Sequence, residues 1–135
     1  MVFHHVGIAV HSIEETAKWY VGMGYSLTDT VEDPVQNVRI AFLKRDDSPL
    51  LELVQPVDKT SPVCNILKKV GVSAYHFCYE TADIQKTIED LEKQEFRVLV
   101  EPVAAIAFEH RKISFLYHLQ MGLIELLEET IHHDF

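Results

Sequence analysis

The chain of 135 residues carries one stretch of sequence twice. FHHVGIAVHSIEETAKWYVGMGYSL, from Phe3, aligns with AYHFCYETADIQKTIEDLEKQEFRVL, from Ala74, at a constant offset of 71 residues. That offset carries His5 onto His76, Ser12 onto Asp83, Ile13 onto Ile84, Thr16 onto Thr87 and Tyr25 onto Phe96. Further along the offset becomes 73 and carries Phe42 onto Phe115, Leu43 onto Leu116 and Glu52 onto Glu125. Matches in register with a slip of only two residues mean two copies of one supersecondary unit. Whatever the chain folds into must therefore contain the same local structure twice.

Each copy reads as a strand, a helix and three further strands. Val2 to Val10 is apolar and β-branched, as a strand requires. Ser12 stands at a helix N-cap position with Glu15 three residues on, a capping-box spacing. Ile13, Ala17, Tyr20 and Val21 are expected on one helical face, and Gly22-Met23-Gly24 ends the helix. Tyr25 to Val31, Val38 to Lys44 and Leu50 to Gln55 read as the next strands, with a turn at Asp46-Asp47-Ser48-Pro49. A linker from Pro56 to Gly71 holds a short helix, with Ser61 as cap, Pro62 at the first helical position and Gly71 just past the end. In the second copy the strands are Ala74 to Glu80, Phe96 to Glu101, Lys112 to Tyr117 and Leu123 to Glu128, with a helix from Asp83 to Gln94. Pro102 to Arg111 is the least regular stretch and reads as a loop. The fold class is α+β, a single domain over 1–135 made of repeats at about 2–55 and 73–128.

Composition bounds the function. The formal net charge is -9, and the basic residues lie in isolated pairs (Lys44-Arg45, Lys68-Lys69, Arg111-Lys112), which argues against nucleic acid or anionic membrane as a partner. No run of about 18 apolar residues exists, so no membrane span is expected. The opening MVFHHVGIAV lacks the features of a secretory signal, and two cysteines, Cys64 and Cys78, make no disulfide framework. A reducing cytoplasm is the simplest home for such a chain. The terminal Ile131-His132-His133-Asp134-Phe135 reads as a frayed tail.

Four residues stand out from the repeat. Side chains alternate faces along a strand, so His5 shares a face with Phe3, Gly7 and Ala9, whose small members leave room beside the imidazole. His76 shares a face with Cys78 and Glu80. Glu52 and Glu125 each sit mid-strand among leucines, where a lone buried carboxylate is expensive. A cation or a metal relieves that penalty. Two imidazoles and two carboxylates at equivalent repeat positions make a reasonable set of ligands for a divalent ion, with positions left for substrate or water. His4 lies on the face opposite His5, has Tyr75 as its repeat mate, and reads as structural.

Paired strand–helix–three-strand modules with these residues on their first and last strands resemble the vicinal oxygen chelate superfamily. That superfamily includes glyoxalase I, methylmalonyl-CoA epimerases, extradiol dioxygenases, fosfomycin-resistance enzymes and bleomycin-binding proteins. The resemblance runs from about residue 3 to 128 and is closest to the epimerase branch, in HHVGIAVHSIEET, VQNVRIAFL, LELVQP, SPVCNILKKVG, YHFCYETADI and GLIELLE. It implies a glyoxalase-like fold, in which the two modules pair into a half-open mixed β-sheet barrel. It also implies metal ligation by His5, Glu52, His76 and Glu125, with Glu125 as proton carrier; the symmetry of the repeat makes Glu52 its substitute. Two departures stand out. EPVAAIAFEHR lacks the glycine of the family loop, with Phe115-Leu116-Tyr117-His118 after it, and Val38 to Leu43 lacks the carboxylate some epimerases carry there.

The expected function is metal-dependent proton abstraction next to the carbonyl of a small-molecule substrate, an acyl-CoA or other thioester. The metal is one divalent ion from among Zn, Co, Ni, Mn and Fe, and a homodimer is expected. The enzymatic alternative is a glyoxalase I-type lactoylglutathione lyase. The non-catalytic alternative is a small-molecule-binding protein of the bleomycin-resistance type, whose members tend to lose the ligand set. An iron dioxygenase uses two histidines and one carboxylate, which leaves one glutamate over.

Overall fold

An apolar β-branched run feeding a capped helix begins each repeat. In the computed structural model, which describes residues 1–130, Val2–Ala9 forms strand β1 and Ile13–Gly22 forms helix α1. Ser12 Oγ accepts the Glu15 amide at 3.1 Å, so the cap forms as the sequence demands. The Glu15 carboxylate reaches forward to Lys18 Nζ at 3.0 Å, an ion pair one turn along the helix. Ile13 and Ala17 are buried and Tyr20 is half-buried, but Val21 is exposed. Eight residues past Ile13, Val21 is turned about 80° from it and leaves the covered stripe. Gly24, at φ +95°, donates to Val21 O at 3.0 Å and ends the helix.

The expected strand from Tyr25 to Val31 is instead two short ones, β2 (Ser26–Leu27) and β3 (Val31–Asp33), both antiparallel to β4 (Val38–Lys44). Thr28 explains the break. Its amide donates to Phe42 O at 2.9 Å, while its hydroxyl accepts the Phe42 amide at 2.8 Å, so a side chain replaces a ladder bond. Strand β5 (Leu50–Pro56) runs antiparallel to β4 and parallel to β1. The linker helix α2 (Cys64–Lys69) starts later than Pro62. Ser61 is spent elsewhere: its Oγ accepts the Val57 amide at 2.8 Å and donates to Asn37 O, which ties the loop rather than capping the helix. Gly71, at φ +89°, follows the helix end as expected.

The second repeat supplies β6 (Ser73–Thr81), α3 (Ile84–Glu92), β7 (Arg97–Ala104), β8 (Lys112–His118) and β9 (Gly122–Glu128). Asp83 Oδ1 caps α3 by accepting the Lys86 amide at 3.0 Å. Asp83→Ala is therefore expected to lower stability by about 1 kcal/mol in denaturant unfolding, with the site untouched. Pro102 to Arg111 is only partly a loop, because β7 continues through Pro102 to Ala104. An end strand accommodates proline, since one side of it owes no ladder bonds, and β7 stands last in its strand order. A 3-10 turn over Ile106–Phe108 follows, then Glu109 and His110 with φ of 56° and 66°. These two left-handed residues make the turn that a glycine would make more cheaply.

The chain divides into two compact units, His4–His76, and Met1–Phe3 with the chain from Phe77 onward. In the first the strand order is β2-β4-β5-β1, with β3 beside β4; in the second it is β6-β9-β8-β7. The fold is mixed α+β, and in each unit the described strands form a mixed sheet, with one parallel pair (β1 with β5, β6 with β9) beside antiparallel ones. Val10, Ile13, Ala17, Leu43 and Leu53 form a core under α1. Ile84, Ile88, Leu91, Leu116, Ile124 and Leu126 do the same under α3.

The strand registers reproduce the sequence repeat. Gly7 lies opposite Glu52 in the parallel pair of the first unit, and Cys78 opposite Glu125 in that of the second. Phe42 faces Glu52 across the neighbouring antiparallel pair, and Phe115 faces Glu125. Among the described residues no helix is long and apolar enough to cross a membrane. The tail from Ile131 to Phe135 lies outside the described residues.

Candidate metal centre

Alternation along β1 turns Ile8 and Val10 into the core under α1, and leaves His5, Gly7 and Ala9 on the other face. His5 is fully buried. Register then puts Glu52 of β5 beside Gly7, and the first unit ends at His76 on β6. Gly7 is needed here for space. A Cβ added to it would overlap the His76 ring, so only a residue without a side chain lets that imidazole lie over β1.

Three donor atoms meet in this space. His5 Nε2 and His76 Nε2 are 3.2 Å apart, and each lies 3.4 Å from the same atom, Glu52 Oε1. All three side chains are nearly inaccessible to water. A tetrahedral divalent ion with bonds of about 2.0–2.1 Å sets its ligands about 3.3–3.4 Å apart, so the triangle has the size such an ion needs. Two imidazole nitrogens and one carboxylate oxygen are also the donor set that first-row divalent metals take. The residues fit a metal. Phe42 approaches His5 edge-on at 6.2 Å between ring centres, and Tyr75 approaches His76 at 4.5 Å, so the imidazoles are walled by aromatic rings.

Burial by itself pushes the Glu52 carboxyl up. The positive charge beside it at His5, with hydrogen bonds from His5 and His76, outweighs that and holds it well below the usual carboxylate range. A depressed folded-state pKa contributes stability that is present above the unfolded carboxylate range and is lost as pH falls through the lowered value. Glu52 is therefore ionised throughout the neutral range. Metal uptake between about pH 6 and 8 should therefore release no proton from this carboxyl, and the protons that calorimetry in buffers of different ionisation heat detects should number no more than the two imidazoles can give.

The other sequence candidates are placed as follows. Glu125 lies in the second unit at the centre of β9, buried, at the register position that Glu52 holds in the first. Cys78 on β6 is fully buried. Glu80 accepts Arg111 Nη1 at 3.2 Å, an ion pair that occupies it. His118 Nδ1 accepts the Gln120 amide at 3.0 Å, so it serves the β8–β9 turn. His4, read from sequence as structural, is in direct contact with the centre: its Nδ1 is 2.8 Å from His5 Nδ1. Strand alternation set it aside; its place next to a ligand histidine in the chain was the only signal for it.

The sequence profile of the Glyoxalase/Bleomycin resistance protein/Dioxygenase superfamily matches residues 4–115. The mitochondrial methylmalonyl-CoA epimerase of Homo sapiens is 30% identical over 127 residues, covering 91% of this chain and 71% of that protein. Among solved structures, a methylmalonyl-CoA epimerase variant from Streptomyces coelicolor, in complex with 2-nitronate-propionyl-CoA, superposes with a TM-score of 0.84 at 28% identity, covering 97% of this chain and 99% of that one. The epimerase of Mycobacterium tuberculosis does so with a TM-score of 0.82 at 26% identity, covering 96% and 89%. A profile match over most of the length means that the chain belongs to the glyoxalase/bleomycin resistance protein/dioxygenase superfamily.

Proposed function

We propose that the chain is a metal-dependent epimerase that moves the proton next to the carbonyl of an acyl-CoA thioester. The observation that carries this reading is the buried triangle of His5 Nε2, His76 Nε2 and Glu52 Oε1. The similarity to methylmalonyl-CoA epimerases supplies the substrate class. Glu125 is assigned as fourth ligand by the repeat, which gives each copy one histidine and one glutamate. On this reading residues 1–135 act as one functional domain. When bound, the ion supplies Lewis acidity that polarises the thioester carbonyl and makes the adjacent proton acidic. The chain does the rest. His5 and His76 spend a ring nitrogen each on ligation, which removes those lone pairs from base work. A carboxylate within hydrogen-bond reach of the substrate must take the proton. Glu125 takes that role, with Glu52 as its substitute. The aromatic walls of Phe42 and Tyr75 keep water from the imidazoles.

Strand β4 offers Val38, Arg39, Ile40, Ala41, Phe42 and Leu43, with no carboxylate to serve the opposite face of an enolate. Exchange of the substrate proton with solvent should therefore outpace inversion. The test is incubation with methylmalonyl-CoA in deuterium oxide, comparing protein loaded with cobalt(II) and protein stripped by chelator. The account expects deuterium at the carbon next to the thioester, faster than loss of optical activity, in the loaded sample alone. Equal exchange in the stripped sample would remove the metal from the reaction, and no exchange in either would remove this substrate. We further propose a cytoplasmic homodimer. Light scattering at micromolar concentration should give twice the 15.5 kDa chain mass; monomer alone would contradict it.

A further inference from the structure

We propose that His4 is a positioning residue of the metal centre, holding the His5 ring so that His5 Nε2 keeps its lone pair for the ion. The inference rests on His5, Glu52 and His76 being metal ligands. It starts from two distances on one ring. His5 Nε2 faces the triangle, 3.2 Å from His76 and 3.4 Å from Glu52. His5 Nδ1, on the other side, is 2.8 Å from His4 Nδ1, with the two rings close to perpendicular at 80°.

In the neutral form that ligation requires, two imidazole nitrogens at that separation share one proton, and which ring owns it decides what His5 can do. With the proton on His4 Nδ1, His5 Nδ1 is the acceptor and the proton of His5 sits on Nε2. A proton there blocks ligation. With the proton on His5 Nδ1, His5 donates to His4, and the Nε2 lone pair points into the triangle. Only the second arrangement is competent, and it requires an acceptor at the place of His4 Nδ1. A ligand histidine is normally held in this way by a carboxylate or a carbonyl on its far nitrogen. Here the residue next to it in the chain does that work. His4 is half-buried while His5 is fully buried, so His4 can be replaced without opening the core.

The experiment uses the full chain and two variants. His4→Phe keeps a ring and removes the acceptor. His4→Asn keeps an amide oxygen at nearly the reach of Nδ1. Zinc(II) affinity of the metal-stripped proteins is measured by chelator competition. In the zinc-loaded proteins, the His5 Nδ1–H resonance is followed by NMR. The expected result is a downfield, slowly exchanging Nδ1–H signal in wild type and His4→Asn, lost in His4→Phe, with zinc affinity lowered about 10- to 100-fold in His4→Phe alone. Wild-type affinity in His4→Phe, or His4→Asn no better than His4→Phe, would overturn the role of His4 and leave the ligand set standing. Failure of the wild type itself to take up zinc would overturn both.

Discussion

Gly7→Ala should weaken metal binding as far as His76→Ala does, although Gly7 carries no ligand atom. A single methyl at this position falls within the His76 imidazole. The backbone of β1 is held by its parallel pairing to β5 from His5 to Ala9, so the ring must be the part that moves. Once it leaves, His76 Nε2 can no longer lie 3.2 Å from His5 Nε2, and one vertex of the triangle is lost. Loss of an orienting neighbour alone costs about 10- to 100-fold in affinity, and loss of the ligand costs more, so a drop of at least about 100-fold is expected. Overpacking also destabilises the metal-free chain by about 1–3 kcal/mol. Calorimetric titration with zinc(II) checks the first figure and denaturant unfolding of the stripped protein the second. Near-wild-type affinity in Gly7→Ala would mean that His76 is not a ligand in this arrangement.

Glu125→Gln should lower turnover by about 100-fold or more, the usual range for losing a general base, and weaken metal retention without removing it. Glutamine keeps the shape and one oxygen but cannot take a proton. The change is made in the centre of β9, between Ile124 and Leu126 and opposite Phe115, where the backbone has no reason to shift. Glu52→Gln makes the contrast. Its carboxylate is held ionised at a vertex of the triangle, so its loss should remove the ion first and activity as a consequence. Restoring metal at high concentration should then recover exchange in Glu52→Gln but not in Glu125→Gln. A Glu125→Gln protein that binds metal and exchanges the substrate proton at the wild-type rate would move the base role to Glu52.

Much of the fold is legible in the sequence because the repeat ties distant residues together. The offsets of 71 and 73 that align the two copies are the offsets that relate Gly7–Glu52 pairing to Cys78–Glu125 pairing. The caps at Ser12 and Asp83 were legible for a local reason, since the cap and the amide it accepts lie three residues apart. Where the reading erred, a side chain had a longer-range partner. Ser61 serves the Val57 and Asn37 loop rather than α2, and Thr28 bonds to β4 and breaks its own strand. Pro102 lies in a strand because an end strand does not need its amide. His4 escaped because alternation predicts where a side chain starts, not how far a ring reaches.

The measurement that bears most directly on the account is the metal content of the chain purified without added metal, beside the His5→Ala/His76→Ala double variant. The account predicts one divalent ion per wild-type chain by mass spectrometry and none in the double variant, with both folded by circular dichroism. Equal metal in the two proteins, or a wild type that neither contains nor takes up a divalent ion, would contradict it.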